Sequence, residues 1–164
     1  MLLTIIFSFA VALLIHELGH LMAARACQVG VSELGIGWGP KLCGFKLGSV
    51  QYNLHALPIG AYVRMDMVGL QRRPLSQQTL ILLAGVIANL CAASLTSGTI
   101  FSAMNLLLAT TNLLPLYQQD GWKCGMVMIR ALLQKRSPLV EWTFTIVGGG
   151  LSLALFAAFG LRFV

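Results

Sequence analysis

Four long apolar stretches recur along this chain, at about Leu2 to Ala26, Thr79 to Leu95, Thr99 to Tyr117 and Trp142 to Leu161. The first is long enough to cross a hydrocarbon core of roughly 30 Å at about 1.5 Å per residue. The link between the second and third, Thr96 to Gly98, is short and uncharged, so these two form an antiparallel helical hairpin. Composition agrees. Of 164 residues, 57% are hydrophobic and only 10% charged, against about 25% charged in an average soluble domain. Mean hydropathy is +0.82. Much of the surface is therefore expected to face lipid. The expected fold is an α-helical polytopic membrane protein, one embedded domain over residues 1–164, with about four transmembrane helices.

The formal net charge of +6 does not point to nucleic acid, because its distribution is topological. Arg25, Lys41, Lys46, Arg64, Arg72 and Arg73 lie at the end of the first stretch or before the second. Lys123, Arg130, Lys135 and Arg136 lie between the third and fourth, and only Arg162 falls elsewhere. Cations gathered in alternate loops mark those loops as cytoplasmic. Both termini are then expected outside, with the late residues of the first and third stretches at similar depth on the cytoplasmic side. Cys27, Cys43, Cys91 and Cys124 show no paired spacing and are expected as free thiols. The opening MLLTIIFSFAVALLI lacks a basic leader and a small-residue cleavage site, so it is expected as a retained membrane helix.

Residues 28–73 differ in kind. Glycines at 30, 35, 37, 39, 44, 48, 60 and 69 oppose a helix. Val50, Tyr52 and Leu54 alternate with Gln51, Asn53 and His55, the period of a half-buried strand. Phe45-Lys46-Leu47 precedes it across Gly48-Ser49, a two-residue hairpin turn, and Pro58 and Gly60 close the unit. Backbone this apolar is expected at the membrane surface or dipping into it against protein. Farther on, Trp122, Met126, Ile129 and Leu133 share one helical face, and Lys123, Val127, Arg130 and Gln134 another. An amphipathic helix over 122–134 is expected on the cytoplasmic surface. The fourth stretch, 142–161, opens on an interfacial Trp142, and Gly148-Gly149-Gly150 permits close packing.

Chemistry concentrates at His16-Glu17-Leu18-Gly19-His20. Residues i and i+4 share a helix face, so both imidazoles can reach one ion. Glu17, beside the first, is placed to take a proton from a water at that ion. A charged residue inside an apolar segment costs roughly 2.5–3.5 kcal/mol on insertion scales, so Glu17 asks for a purpose. Two buried histidines bonded to neighbouring helices would be the plain structural alternative. A catalytic zinc usually takes a third protein ligand. The longer H-E-x-x-H-x-x-G-x-x-H pattern is absent, since Ala23 and Ala26 occupy its last two places. Glu33, His55, Asp66, Asp120 and Glu141 remain, and topology selects Asp120, at the cytoplasmic end of the third stretch. Pro115 should end the helix there and free the backbone to turn Asp120 inward. Glu33, His55 and Asp66 read as solvated loop residues and Glu141 as a helix-start charge, although Glu33 or His55 would be placed to line a substrate path.

The HExxH motif in a first membrane helix, with Asn112-Leu113-Leu114-Pro115-Leu116-Tyr117-Gln118-Gln119-Asp120-Gly121 in a later one, resembles the site-2 protease family of intramembrane metalloproteases. Ala84-Gly85-Val86-Ile87-Ala88-Asn89 is similar to that family's glycine- and asparagine-bearing helix. Pro58-Ile59-Gly60-Ala61-Tyr62-Val63 is similar to the end of its membrane-associated β-hairpin. Gln119, Val86 and Ala61 stand where leucine, proline and glycine are common. The resemblance implies a compact form without a PDZ or other soluble module, and one zinc on His16, His20 and Asp120. It also implies Glu17 as catalytic base and Asn112 as a holder of substrate backbone. The implied activity is hydrolysis of peptide bonds in or near the transmembrane segments of membrane-spanning protein substrates, in regulated intramembrane proteolysis. The implied setting is a bacterial cytoplasmic membrane, with the bilayer as partner, no nucleic acid, and the active site toward the cytoplasm. Gln51 and Asn53, on the hairpin strand, are expected to bind substrate by pairing with an unwound segment. A metal-binding or transport protein using the same histidines, or an inactive relative that binds membrane partners, would be the competing functions.

Overall fold

The computed structural model describes residues 1–133 and 137–160. The expected helix ends at Gln134 and Leu161, and the cations Lys135, Arg136 and Arg162, lie outside the described residues. In chain order the elements are α1 (Leu2–Ala26), β1 (Val31–Leu47), β2 (Val50–Met65), α2 (Met67–Gln71), α3 (Leu75–Leu95), α4 (Ile100–Leu113), α5 (Asp120–Leu133) and α6 (Pro138–Gly160).

α1 is apolar on all sides, and only one stripe of it is covered by protein. Ser8, Ala12, His16, His20 and Ala24 are buried and recur every fourth residue, which is one face of a helix. Small residues let α3 approach this face closely. A Cβ on Gly19 would lie 2.5 Å from the carbonyl oxygen of Ala84, so any side chain there would force the helices apart. α3 starts four residues earlier than the hydropathy suggested, because Pro74 caps it and the polar Gln77 and Gln78 belong to its first turns.

α4 runs back antiparallel to α3 after a tight turn at Thr96–Gly98, and Ser102 Oγ donates to the carbonyl oxygen of Ala93 across the pair. Thr99 caps α4 by accepting from the Ser102 amide. The helix stops at Leu113, short of the expected Tyr117. The cause is Pro115, which pushes Leu114 into an extended conformation at φ −65° and ψ 145°. Among the described residues, α1, α3 and residues 138–155 of α6 are long and apolar enough to cross a membrane, while the 14-residue α4 is shorter. With three such helices the chain is an integral membrane protein.

The region between α1 and α3 is far more ordered than its glycine content implied. The turn at Gly48-Ser49 forms where expected, with Gly48 at φ +62°. Strand pairing, however, extends over seventeen residues of β1 and sixteen of β2. β1 and β2 pair antiparallel from Leu47↔Val50 outward and again from Val31↔Met65 to Ile36↔Ala61. Because both strands bend, Glu33–Ile36 also pairs with Gln51–Leu54, the residue numbers rising together in that set. Residues 33–36 are thus flanked on both sides, and 61–65 form one edge. Asp66 is no free loop residue: it caps α2, accepting from the Val68 amide at 3.0 Å. The core joins the ends of α1 and α3 to the sheet through Leu21, Val29, Leu34, Val50, Leu70 and Ile81.

α5 carries the expected amphipathic pattern but begins two residues earlier, at Asp120. α6 docks on it through the stacked rings of Trp122 and Phe144 and a two-bond ion pair from Arg130 to Glu141 at 2.8 and 2.9 Å. Glu141 is in the first turn of α6, which begins at Pro138 and so precedes the expected Trp142 start.

Candidate metal centre and its cavity

Three side chains from two distant parts of the chain meet on the buried stripe of α1. Asp120 Oδ2 lies 2.9 Å from His16 Nε2 and 2.9 Å from His20 Nε2, and the two Nε2 atoms are 3.2 Å apart. All three residues are buried, at 4%, 6% and 3% exposure for His16, His20 and Asp120. Two ring nitrogens and a carboxylate oxygen crowded into so small a triangle, away from water, call for a shared positive centre. Ligand atoms at about 2.0–2.1 Å from a tetrahedral zinc stand about 3.3 Å apart. The observed spacings need to open by only a few tenths of an ångström, so the donor set fits a zinc ion. No other group of metal-ligating side chains comes together among the described residues.

The surroundings hold the ligands in place. His20 Nδ1 donates to the Ile81 carbonyl oxygen at 2.8 Å, which fixes its tautomer and leaves Nε2 free to bind. The approach of α3 depends on Gly85, where a Cβ would stand 2.5 Å from His20 Nε2 and 2.7 Å from His16 Nε2. Asp120 arrives through the turn that Pro115 creates. Gln118 adopts φ +75° within it, an uncommon conformation for a residue with a side chain. Gly121 closes the turn, since a Cβ there would collide with the Leu113 carbonyl. Burial by itself would raise the Asp120 carboxyl. The His16 and His20 hydrogen bonds, with the charges of His20 and Lys123, outweigh it and hold the group ionised, well below the usual carboxylate range.

Glu17 opens onto the same cavity of about 1050 Å³ as His16, His20 and Asp120. Asn112 and Lys123 line it from the helical side, and residues 60–65 of β2 line it from the sheet side. Asn112 donates one amide hydrogen to the Leu108 carbonyl oxygen at 3.0 Å, leaving a second hydrogen and its own oxygen uncommitted. The wall of this space is therefore half helix and half strand.

Gln51 and Asn53 are elsewhere. Both are absent from the cavity wall, and each is flanked by strand on two sides: Gln51 by Glu33 and Lys46, Asn53 by Gly35 and Gly44. The substrate pairing expected along Val50–Leu54 has no free edge to use, because β1 bends back over it. Their side chains serve the sheet: Gln51 Nε2 donates to the Phe45 carbonyl at 3.1 Å and Asn53 Nδ2 to Glu33. Glu33, expected as solvated, accepts from Tyr62 at 2.7 Å and pairs with Arg64 at 3.2 Å. The Tyr62 hydroxyl, aided by Asn53 and Arg64 against the effect of burial, holds the Glu33 carboxyl below its ordinary range. His55 does line the cavity, and its Nδ1 donates to the Gly39 carbonyl oxygen at 2.8 Å. Sequence reasoning missed Tyr62, Arg64 and Lys123 as cavity residues. Only Lys123 carried a local signal, one helical turn from Asp120.

Comparison with known proteins places the chain. Residues 4–102, more than half of it, match the profile of Peptidase family M50. A protein of Clostridium acetobutylicum named "Putative zinc metalloprotease" is 41% identical over 97 residues, covering 54% of this chain and 29% of the relative. One of the same description from Clostridium perfringens is 38% identical over 90 residues, 50% of this chain and 27% of the relative. An Arabidopsis thaliana protein named "Probable membrane metalloprotease", chloroplastic, is 32% identical over 93 residues, 49% and 21% of the two chains. The matched part thus spans less than a third of each relative. The profile match takes in His16, Glu17, His20 and Gly85 and stops before Asp120. On that match, the chain belongs to peptidase family M50.

Proposed function

We propose that this chain is the membrane-embedded catalytic unit of a zinc metalloendopeptidase that cleaves membrane-spanning proteins in or near their transmembrane segments, in regulated intramembrane proteolysis. The observation that carries the reading is the buried triangle of His16 Nε2, His20 Nε2 and Asp120 Oδ2, opening with Glu17 onto one cavity walled by helices and by the hairpin. His16, His20 and Asp120 would hold one zinc ion. Bound there, zinc supplies Lewis-acid polarisation and makes water a nucleophile near neutral pH. Glu17 takes the proton from the attacking water as oxygen bonds to the scissile carbonyl carbon. It then returns that proton to the nitrogen as the C–N bond breaks. Asn112, with its uncommitted hydrogen and oxygen, holds the substrate backbone. Burial of the three ligands keeps bulk water from competing for them.

A transmembrane substrate must unwind before its peptide bonds are open to attack. The edge at 61–65 supports strand addition, because it lines the cavity and has partners only along β1 among the described residues. We read α4, packed against α3, as a fourth and shorter crossing. Arg25, Arg72, Arg73, Lys123 and Arg130 lie near the end of α1, the start of α3 and along α5, which supports a cytoplasmic position for the site. A bacterial cytoplasmic membrane is the setting this favours.

The test is cleavage of a single-pass substrate by purified protein in detergent. Wild type should cut, a zinc chelator should stop it, and Glu17→Gln should lose about 10²–10⁴-fold in rate while retaining zinc. Undiminished cleavage by Glu17→Gln, or by protein shown to be zinc-free, would refute the mechanism.

A further inference from the structure

We propose that Lys123 is a positioning residue of the metal centre, holding the Asp120 carboxylate so that a single oxygen faces the ion. The inference rests on the three-ligand reading above and goes beyond it. The two oxygens of Asp120 lie in separate surroundings. Oδ2 sits 2.9 Å from both imidazole nitrogens, whereas Oδ1 accepts from Lys123 Nζ at 3.0 Å. Asp120 is buried, but the Lys123 side chain is 41% exposed and lines the cavity, so the ammonium reaches inward from its rim. A solvated surface lysine would have pointed away.

The geometry has a consequence for coordination. A carboxylate free to rotate can offer both oxygens to a metal. Two oxygens and two imidazoles would fill four positions by themselves, so water could enter only as a fifth ligand. With Oδ1 tied to an ammonium, Asp120 contributes one oxygen, and the open position of a catalytic site survives. Lys123 is three residues beyond Asp120 on α5, so the clamp and the ligand move as one body. An ordinary exposed ion pair would be worth little. Here one partner is buried and its other oxygen is committed, which is how outer groups orient metal ligands.

Cobalt(II) uptake by the full chain in detergent tests this without relying on activity. After zinc removal, affinity is read by competition with a chelator and geometry by the visible absorption of the bound ion. Lys123→Met should lower cobalt affinity roughly 10–100-fold and weaken the absorption toward that of a higher-coordinate ion. Lys123→Arg keeps a cation on a long stem and should retain most of the wild-type affinity and spectrum. An unchanged affinity and spectrum in Lys123→Met would overturn the proposal, as would equal losses in the Met and Arg variants. A Met variant whose metal-free form melts well below wild type would assign Lys123 to folding and overturn it too. Failure of the underlying reading looks different: wild type takes up no cobalt, or Asp120→Ala keeps the wild-type spectrum.

Discussion

His16 and His20 meet within a single helical turn of α1, whereas Asp120 reaches them from a hundred residues away, across the junction of α4 and α5. The first half of the centre needs only a helix, because i and i+4 share a face. The second half needs a helix stopped by Pro115, a left-handed Gln118, and a Gly121 without which the turn could not close. The family match separates the two halves in the same way, covering the imidazoles and ending before the carboxylate. What the contrast teaches is that one half is written locally and the other is assembled by tertiary structure. The two should therefore fail differently.

The largest expected effect is on the local half. Gly85→Ala would place a methyl group within 2.5 Å of His20 Nε2 and 2.7 Å of His16 Nε2. Both rings would have to swing out, and a displacement of about 1 Å at a reacting centre can cost roughly 10²-fold in rate. Bound zinc and cleavage should be lost together. Helix content by circular dichroism should hold, with a stability cost of about 1–3 kcal/mol from overpacking. Full activity in Gly85→Ala would show that α3 does not press on the imidazoles.

The assembled half should yield more gradually. Pro115→Ala removes the block on α4 and restores a backbone N–H, so the helix is free to extend toward Tyr117. The His pair would be untouched while Asp120 loses its inward turn. Zinc affinity should fall on the order of tenfold, measured by chelator competition, with rate falling in parallel. If affinity is unchanged, the turn is set by something other than the proline.

These two halves also mark how much of the protein was legible beforehand. HExxH, the antiparallel α3–α4 pair, the amphipathic α5 and the Gly48-Ser49 turn all follow from short-range periodicity or turn chemistry, and the structure contains each. Asp120 was reached through topology, one step less direct. The double flanking of Glu33–Ile36 was not legible, because alternation along one strand says nothing about how far both strands bend. For that reason Gln51 and Asn53 were expected at an edge that in fact belongs to residues 61–65. Lys123 stood one helical turn from Asp120, but its charge was already explained by orientation.

The smallest expected effect lies in the sheet wall. Glu33 has a folded-state pKa held below its ordinary value of 4.5 by Tyr62, Asn53 and Arg64. A carboxyl depressed on folding contributes stability above its unfolded pKa and loses it as pH falls through the folded one. The sheet should therefore weaken below about pH 4.5 in wild type and not in Glu33→Gln. Hydrogen exchange at residues 31–36 and 61–65 would record this. Equal acid sensitivity in both proteins would place the titration elsewhere.

Zinc content per chain, measured on purified wild type and Asp120→Ala after identical dialysis against a chelator, tests the joining of the two halves most directly. The account predicts about one zinc in wild type, as in a three-ligand site, and little in the variant despite an intact His16 and His20. Equal zinc in both proteins would contradict it, because the carboxylate would then stand beside the ion without holding it.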